Sequence, residues 1–113
     1  MTKQKRVVLD VINSSCKHLS AEEIFFETRK LAPSISLSTV YRNLGQLVEE
    51  KMIRRIDIND AKSVYDKNVI YHAHAVRESN GEVIDIFSEE LDQLVKSLVD
   101  EEVISYNVII RIK

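Results

Sequence analysis

Apolar residues recur at helical spacing three times in the first half of this chain. Val8, Leu9, Val11 and Ile12 line one side of residues 3–14, and Thr2 is placed to cap that helix. The second helix has a sharper start. Ser20-Ala21-Glu22-Glu23 is a capping box, in which the serine hydroxyl accepts from the third helical amide and Glu23 reaches back to the cap. Leu19 and Ile24 flank it as a hydrophobic staple, and the pattern runs through Phe25 and Thr28 to the region of Lys30, before Pro33 interrupts it. Ser36 caps a third helix over 36–51, whose Val40, Leu44, Leu47 and Val48 fall on one face. Two short alternating runs, 53–58 and 62–66, follow and are joined by Asn59-Asp60-Ala61, a hairpin pattern. Three helices and a hairpin predict a winged helix.

The second half changes character. Residues 69–77 read as a strand, Ser79-Asn80-Gly81 as a turn, and 82–87 as the returning strand, with Asn80-Gly81 a strong hairpin signal. Ser88 caps a helix predicted to reach Asp100, with Leu91, Leu94, Val95, Leu98 and Val99 on its buried face. Glu89, Glu90 and Asp92 lie in the first turn, where the helix dipole favours acid. Residues 103–113 are strongly β-branched and predict a last strand. The fold class expected is α+β: an N-terminal winged helix-turn-helix over 1–67, then a small α/β dimerisation domain over 68–113. So few elements make a small core, so this half is expected to pair with a second copy.

Composition narrows the classes. With 113 residues, 44% apolar and 30% charged, the chain is ordinary for a soluble globular protein. It has no run of about 18 apolar residues, which argues against a membrane span, and its first residues lack a signal-peptide segment. Cys16 is the one cysteine, so an internal disulfide is excluded and a reducing cytoplasm is the expected compartment. The net charge of −2 argues against indiscriminate coating of nucleic acid. The charge is uneven, however. Residues 1–60 carry ten Lys/Arg against eight Asp/Glu, a net of +2, and residues 61–113 carry six against ten, a net of −4. That asymmetry suggests a nucleic-acid face joined to something else.

The third helix supplies such a face. Opposite its apolar stripe stand Ser38, Thr39, Tyr41, Arg42 and Gln46, with Ser36 at the start, and its acids come only at the far end as Glu49 and Glu50. Short polar groups, a Tyr and an Arg suit a helix entering a DNA groove, though an ordinary solvated helix face has the same composition. Arg54 and Arg55 on the hairpin would let the wing touch phosphate, as a solvated edge strand also would.

The other chemistry lies in Tyr65–Asp85. His72 and His74 are spaced HxH, so on a strand both imidazoles share a face. Asp66 precedes them, Asp85 follows, and the third histidine, His18, stands before the second helix. Three imidazoles and two carboxylates form a mixed nitrogen–oxygen set suited to Fe(II), Mn(II), Co(II) or Zn(II). Two alternatives stand beside it. The pair could be two solvated histidines, or, with Glu78 completing HxHxxxE, a cupin-like metalloenzyme site. A cupin needs a barrel and a further histidine, for which three helices leave little chain.

LSAEEIF, then SISLSTVYRNLGQLVEEKMI, then YD…HAH…GEVIDI resembles the ferric uptake regulator (Fur) family of bacterial metal-dependent repressors, and within it the peroxide-stress regulators. The likeness covers about Lys3 to Phe87, and the last helix and strand fit the family's dimerisation half. It implies a homodimer on double-stranded operator DNA, not an enzyme, with a regulatory ion, Fe(II) or Mn(II) (zinc in vitro), held by His18, Asp66, His72, His74 and Asp85. Aspartate at the last position is similar to the peroxide sensors, where iron sensors tend to have glutamate. The chain also departs from the family. Arg77-Glu78-Ser79-Asn80-Gly81 stands where most members have CxxC, so no structural zinc is expected. The late histidine of a further family site is missing, as is a helix that many members carry ahead of Thr2. A degenerate, metal-independent winged-helix module is therefore the alternative.

Overall fold

The computed structural model describes residues 1–67 and 72–113, which form two compact units divided between Val69 and Ile70. The boundary expected after residue 67 and the first residues of the strand expected from residue 69 lie outside the described residues, while His72, which is described, precedes the strand and does not belong to it.

The first unit contains α1 (Lys3–Ser14), α2 (Ala21–Leu31), α3 (Leu37–Glu49), β1 (Arg54–Asn59) and β2 (Lys62–Asp66). All three helix starts follow the sequence. Thr2 and Ser36 cap α1 and α3 by accepting from Lys5 N and Thr39 N, and Ser20 and Glu23 complete both arms of the capping box on α2. The helices enclose one core of Val8, Leu9, Ile12, Leu19, Ala21, Ile24, Ile35, Val40, Leu44, Leu47, Ile53 and Tyr65. β1 and β2 form the antiparallel wing, with Ile56 opposite Val64 and both buried. A backbone bridge, Tyr65 N to Leu19 O at 2.9 Å, ties the wing to the loop ahead of α2.

α3 ends at Glu49, short of the predicted Lys51, because the chain reverses there. Lys51 N bonds to Val48 O and Met52 N to Leu47 O, each at 3.0 Å, and Lys51 has φ 61°. This is a Schellman stop with a side chain where glycine is the favoured residue. The reversal turns Ile53 into the core and starts the wing.

The second unit contains β3 (Ala73–Arg77), β4 (Val83–Ile86), α4 (Glu89–Ser97) and β5 (Ile109–Ile112). The sheet order is β4-β3-β5, with β3 antiparallel to β4 and parallel to β5. Gly81 takes φ 73° in the β3–β4 turn, which supports the predicted Asn-Gly reversal. Two expectations need correction. The last strand covers four residues rather than 103–113, because it pairs only opposite His74–Arg77 and β3 ends there. Tyr106 is instead tied by its hydroxyl to Asp92 Oδ1 of α4, at 2.7 Å. α4 stops at Ser97, and its apolar face is not buried within the chain. Leu91 and Val95 are half-buried, while Leu94, Leu98 and Val99 are 57%, 72% and 49% exposed. Three short strands are too small a surface to cover them.

Replacing Lys51 with Gly should raise stability by up to about 1 kcal/mol, since the left-handed conformation costs a side chain more than glycine loses in chain entropy. Urea unfolding checks this, and a loss of stability would mean that α3 does not stop in this way in solution.

Candidate metal centre and nucleic-acid face

Each unit sets imidazole beside carboxylate, one partner buried and the other partly so, and backbone pairing helps put each group together. In the first unit the Leu19–Tyr65 bridge sets the preceding residue, His18, beside the following one, Asp66. Their Nε2 and Oδ2 atoms are 3.3 Å apart, with Asp66 only 5% exposed. Lys67 secures the same corner by donating from Nζ to the carbonyls of Asn13 (3.3 Å) and Ser15 (3.0 Å) at the end of α1. The Tyr65 phenol next to Asp66 is pushed above its ordinary pKa, first by burial, with Arg55 pulling the other way.

In the second unit His74 and Asp85 are direct partners across the β3–β4 ladder. His72 lies two residues before His74, and the imidazole centroids are 4.4 Å apart. One oxygen, Asp85 Oδ1, stands 3.0 Å from His72 Nε2 and 3.3 Å from His74 Nε2. Both imidazoles are buried, and Phe87 stacks on His72 at 4.6 Å between centroids. The HxH spacing made the histidine pair legible. Phe87 and Lys67 were missed, although the first ends a predicted strand and the second follows one.

The donor set fits a borderline divalent ion. Nitrogen and oxygen atoms bound side by side at about 2.1 Å stand about 3 Å apart around the ion, and the three contacts within the units are of that size. Burial of imidazoles beside carboxylates favours a cation over loose solvation. Glu78 belongs to no such group. It lies beyond β3, exposed, with Oε1 3.5 Å from Arg111, and the described strands form no barrel around the histidines, which leaves the cupin-like alternative without support.

On α3, Ser38, Tyr41, Arg42 and Gln46 are exposed and Thr39 is half-buried. Ser36 spends its hydroxyl on the cap, donating to Thr39 Oγ1 at 2.9 Å while accepting from Thr39 N at 3.2 Å. On the wing Arg54 is half-buried, and Arg55 Nε pairs with Asp57 at 3.2 Å. The face is less free of acid than α3 suggests by itself. Glu22, in the first turn of α2, accepts a 2.6 Å hydrogen bond from the Tyr41 hydroxyl. That bond holds the Glu22 carboxyl below its ordinary range and raises the Tyr41 phenol above its own.

The first unit is a winged helix, and with the sheet and helix of the second the fold is α+β. The chain belongs to the ferric uptake regulator family, whose profile matches residues 1–110. It is 28% identical over 106 residues to the peroxide-responsive repressor PerR of Staphylococcus epidermidis, covering 91% of this chain and 71% of that one. It is 31% identical over 102 residues to the ferric uptake regulation protein of Rhizobium leguminosarum bv. viciae, covering 89% and 72%. Among solved structures, the Helicobacter pylori ferric uptake regulator, described as having three functional metal binding sites, aligns with a TM-score of 0.84 at 26% identity, over 99% of this chain and 77% of that one.

Replacing Lys67 with Met should speed amide exchange across Ser15–Leu19 and lower stability by about 1 kcal/mol, as the end carbonyls of α1 lose a charged donor. Hydrogen exchange followed residue by residue checks it, and unchanged protection would remove Lys67 from the support of His18.

Proposed function

We propose that the chain is a metal-dependent dimeric repressor that binds operator DNA and responds to iron and peroxide. The observation that carries this reading is the pair of imidazole–carboxylate groups, one in each unit, with contacts of 3.0 to 3.3 Å. We assign His18, Asp66, His72, His74 and Asp85 to one regulatory ion, Fe(II) or Mn(II), with Zn(II) acceptable in vitro. An ion held by residues of both units restricts their relative freedom, so the ordering entropy is no longer charged against DNA binding. When bound as Fe(II), the ion supplies redox reactivity toward peroxide, and the ligating imidazoles are the groups within its reach. His18 and His72 are the residues whose oxidation would release the clamp. Asp85, with the short carboxylate of the peroxide sensors, and the name of the PerR relative support that direction. The role is a regulator's, not an enzyme's.

Ser36, Ser38, Thr39, Tyr41, Arg42 and Gln46 of the third helix region, with Arg54 and Arg55 of the wing, are the proposed DNA contacts. Two recognition helices roughly 34 Å apart suit successive turns of a groove, which calls for a dimer. The uncovered Leu94, Leu98, Val99, Ile104 and Ile110 of the second unit support a second copy there. A structural zinc is not proposed, because Cys16 is the one thiol and a thiolate site of that kind takes four ligands. Operator binding implies a cytoplasmic protein, and no described helix is long and apolar enough to cross a membrane.

The deciding experiment measures promoter DNA binding with Mn(II) and with Fe(II), each with and without peroxide. Either ion should promote binding, and peroxide should abolish it only in the Fe(II) form, with one added oxygen on His18 or His72 by peptide mass spectrometry. His72→Ala and Asp85→Ala should lose tight Mn(II) binding while keeping their helical signal. DNA binding indifferent to metal would favour the metal-independent winged-helix module instead.

Arg42→Ala should cost about 1–3 kcal/mol of operator affinity and relax preference at one base position, as expected for an arginine on a guanine edge. A uniform loss across sequences with a shallower salt dependence would place Arg42 on phosphate.

A further inference from the structure

The hydrogen bond between Glu22 and Tyr41 fixes more than a rotamer. A free tyrosine hydroxyl both donates and accepts, so it is indifferent to whether a base edge offers a lone pair or a hydrogen. Here the hydroxyl hydrogen is committed to Glu22 Oε1 at 2.6 Å. What Tyr41 presents outward is an oxygen with lone pairs only, backed by an anion. Tyr41 is 47% exposed on α3. In the major groove the edges that offer hydrogens are the exocyclic amino groups of adenine (N6) and cytosine (N4), whereas guanine O6 and N7 and thymine O4 offer only lone pairs. Phosphate oxygens are repelled by the same carboxylate.

We infer that Glu22, a residue of α2 rather than of the recognition helix, determines base specificity at the position Tyr41 meets, by making the phenol an acceptor matched to the amino group of adenine or cytosine. The inference rests on the proposed DNA-binding role of α3. Glu22 is a positioning residue here and does not itself touch the base. It also weakens non-specific binding, because it sets a negative charge on the DNA-facing side. Specificity is thereby raised from both directions, by a matched contact and by repulsion of everything else.

The test uses the full chain loaded with Mn(II) and a pool of randomised duplexes long enough for two half-sites. Wild type, Glu22→Ala, Tyr41→Phe and the double variant are each taken through selection, and their base preferences are compared. Glu22→Ala keeps the Ser20–Glu23 capping box and changes an exposed side chain, so its fold should persist, as the helical signal checks. Its Tyr41 phenol should titrate closer to the ordinary value of 10.0. Wild type should show one position per half-site that prefers adenine or cytosine, and both single variants should lose that preference by about tenfold. The double variant should lose no more than either single. Purine in place of adenine, or 2-pyrimidinone in place of cytosine, should weaken wild type and leave the variants unaffected, which also tells the two bases apart. Glu22→Ala should in addition bind random duplex more tightly at low salt. A Glu22→Ala protein with the wild-type base profile overturns the inference, whether or not Tyr41→Phe alters it. A wild type that enriches no sequence with Mn(II) or Fe(II) overturns the DNA-binding reading itself.

Discussion

A carboxylate withdrawn from water, wholly like Asp66 or in part like Asp85, is tolerated only where something answers its charge. Asp66 and Asp85 are each answered by imidazole, and in neither case is the meeting left to side-chain flexibility. Leu19 and Tyr65 exchange a backbone hydrogen bond, which leaves His18 and Asp66 with little choice but to face one another. His74 and Asp85 are opposite residues of an antiparallel ladder, and a slip of one residue would send them to different faces of the sheet. The chemistry is thus written into backbone pairing, and the apolar elements exist to keep that pairing in register. Ile24, Val40, Leu44 and Leu47 hold the helices that carry the loop of His18, and the alanines on either side of His74 let the centre of a thin sheet stay filled without bulk.

The two units are stabilised differently. The first has a closed apolar core, capped helices and a wing whose Ile56 and Val64 are covered. The second has a well-buried central strand but a helix with no buried residue, and large aliphatic side chains left in water. A cluster that needs buried imidazoles is therefore built on a layer that is itself incompletely covered. Covering that layer with a second subunit would stiffen the strand that carries His74 and follows His72, so assembly and ion affinity would be expected to rise together.

Much of this was legible in the sequence. The helix starts at Thr2, Ser20 and Ser36 follow from local chemistry that needs no tertiary information, and the wing follows from alternation and its turn. HxH on a strand pointed to the cluster. What could not be read were features set by distant partners. The length of β5 depends on where β3 ends, and periodicity within 103–113 carries no trace of that. The apolar side of α4 was readable as apolar, but whether the same chain covers it depends on the size of the sheet. Lys67 lies beside a predicted ligand, yet its contacts are with carbonyls more than fifty residues earlier. Glu22 was assigned to a helix start, and only the crossing of α2 and α3 brings it to Tyr41.

The parallel pairing of β3 with β5 has a consequence for the order of folding. The first unit is dominated by neighbouring helices and a hairpin, contacts that close over short stretches of chain and so form quickly. The second cannot finish its sheet until residues 108–112 arrive, because His74 N bonds to Val108 O and β5 supplies one flank of the central strand. On a ribosome that strand keeps an open edge while the module ahead of it is already folded. For that interval the nascent chain holds a finished winged helix and an unfinished sheet around His74, with an exposed, apolar strand edge as its most vulnerable surface.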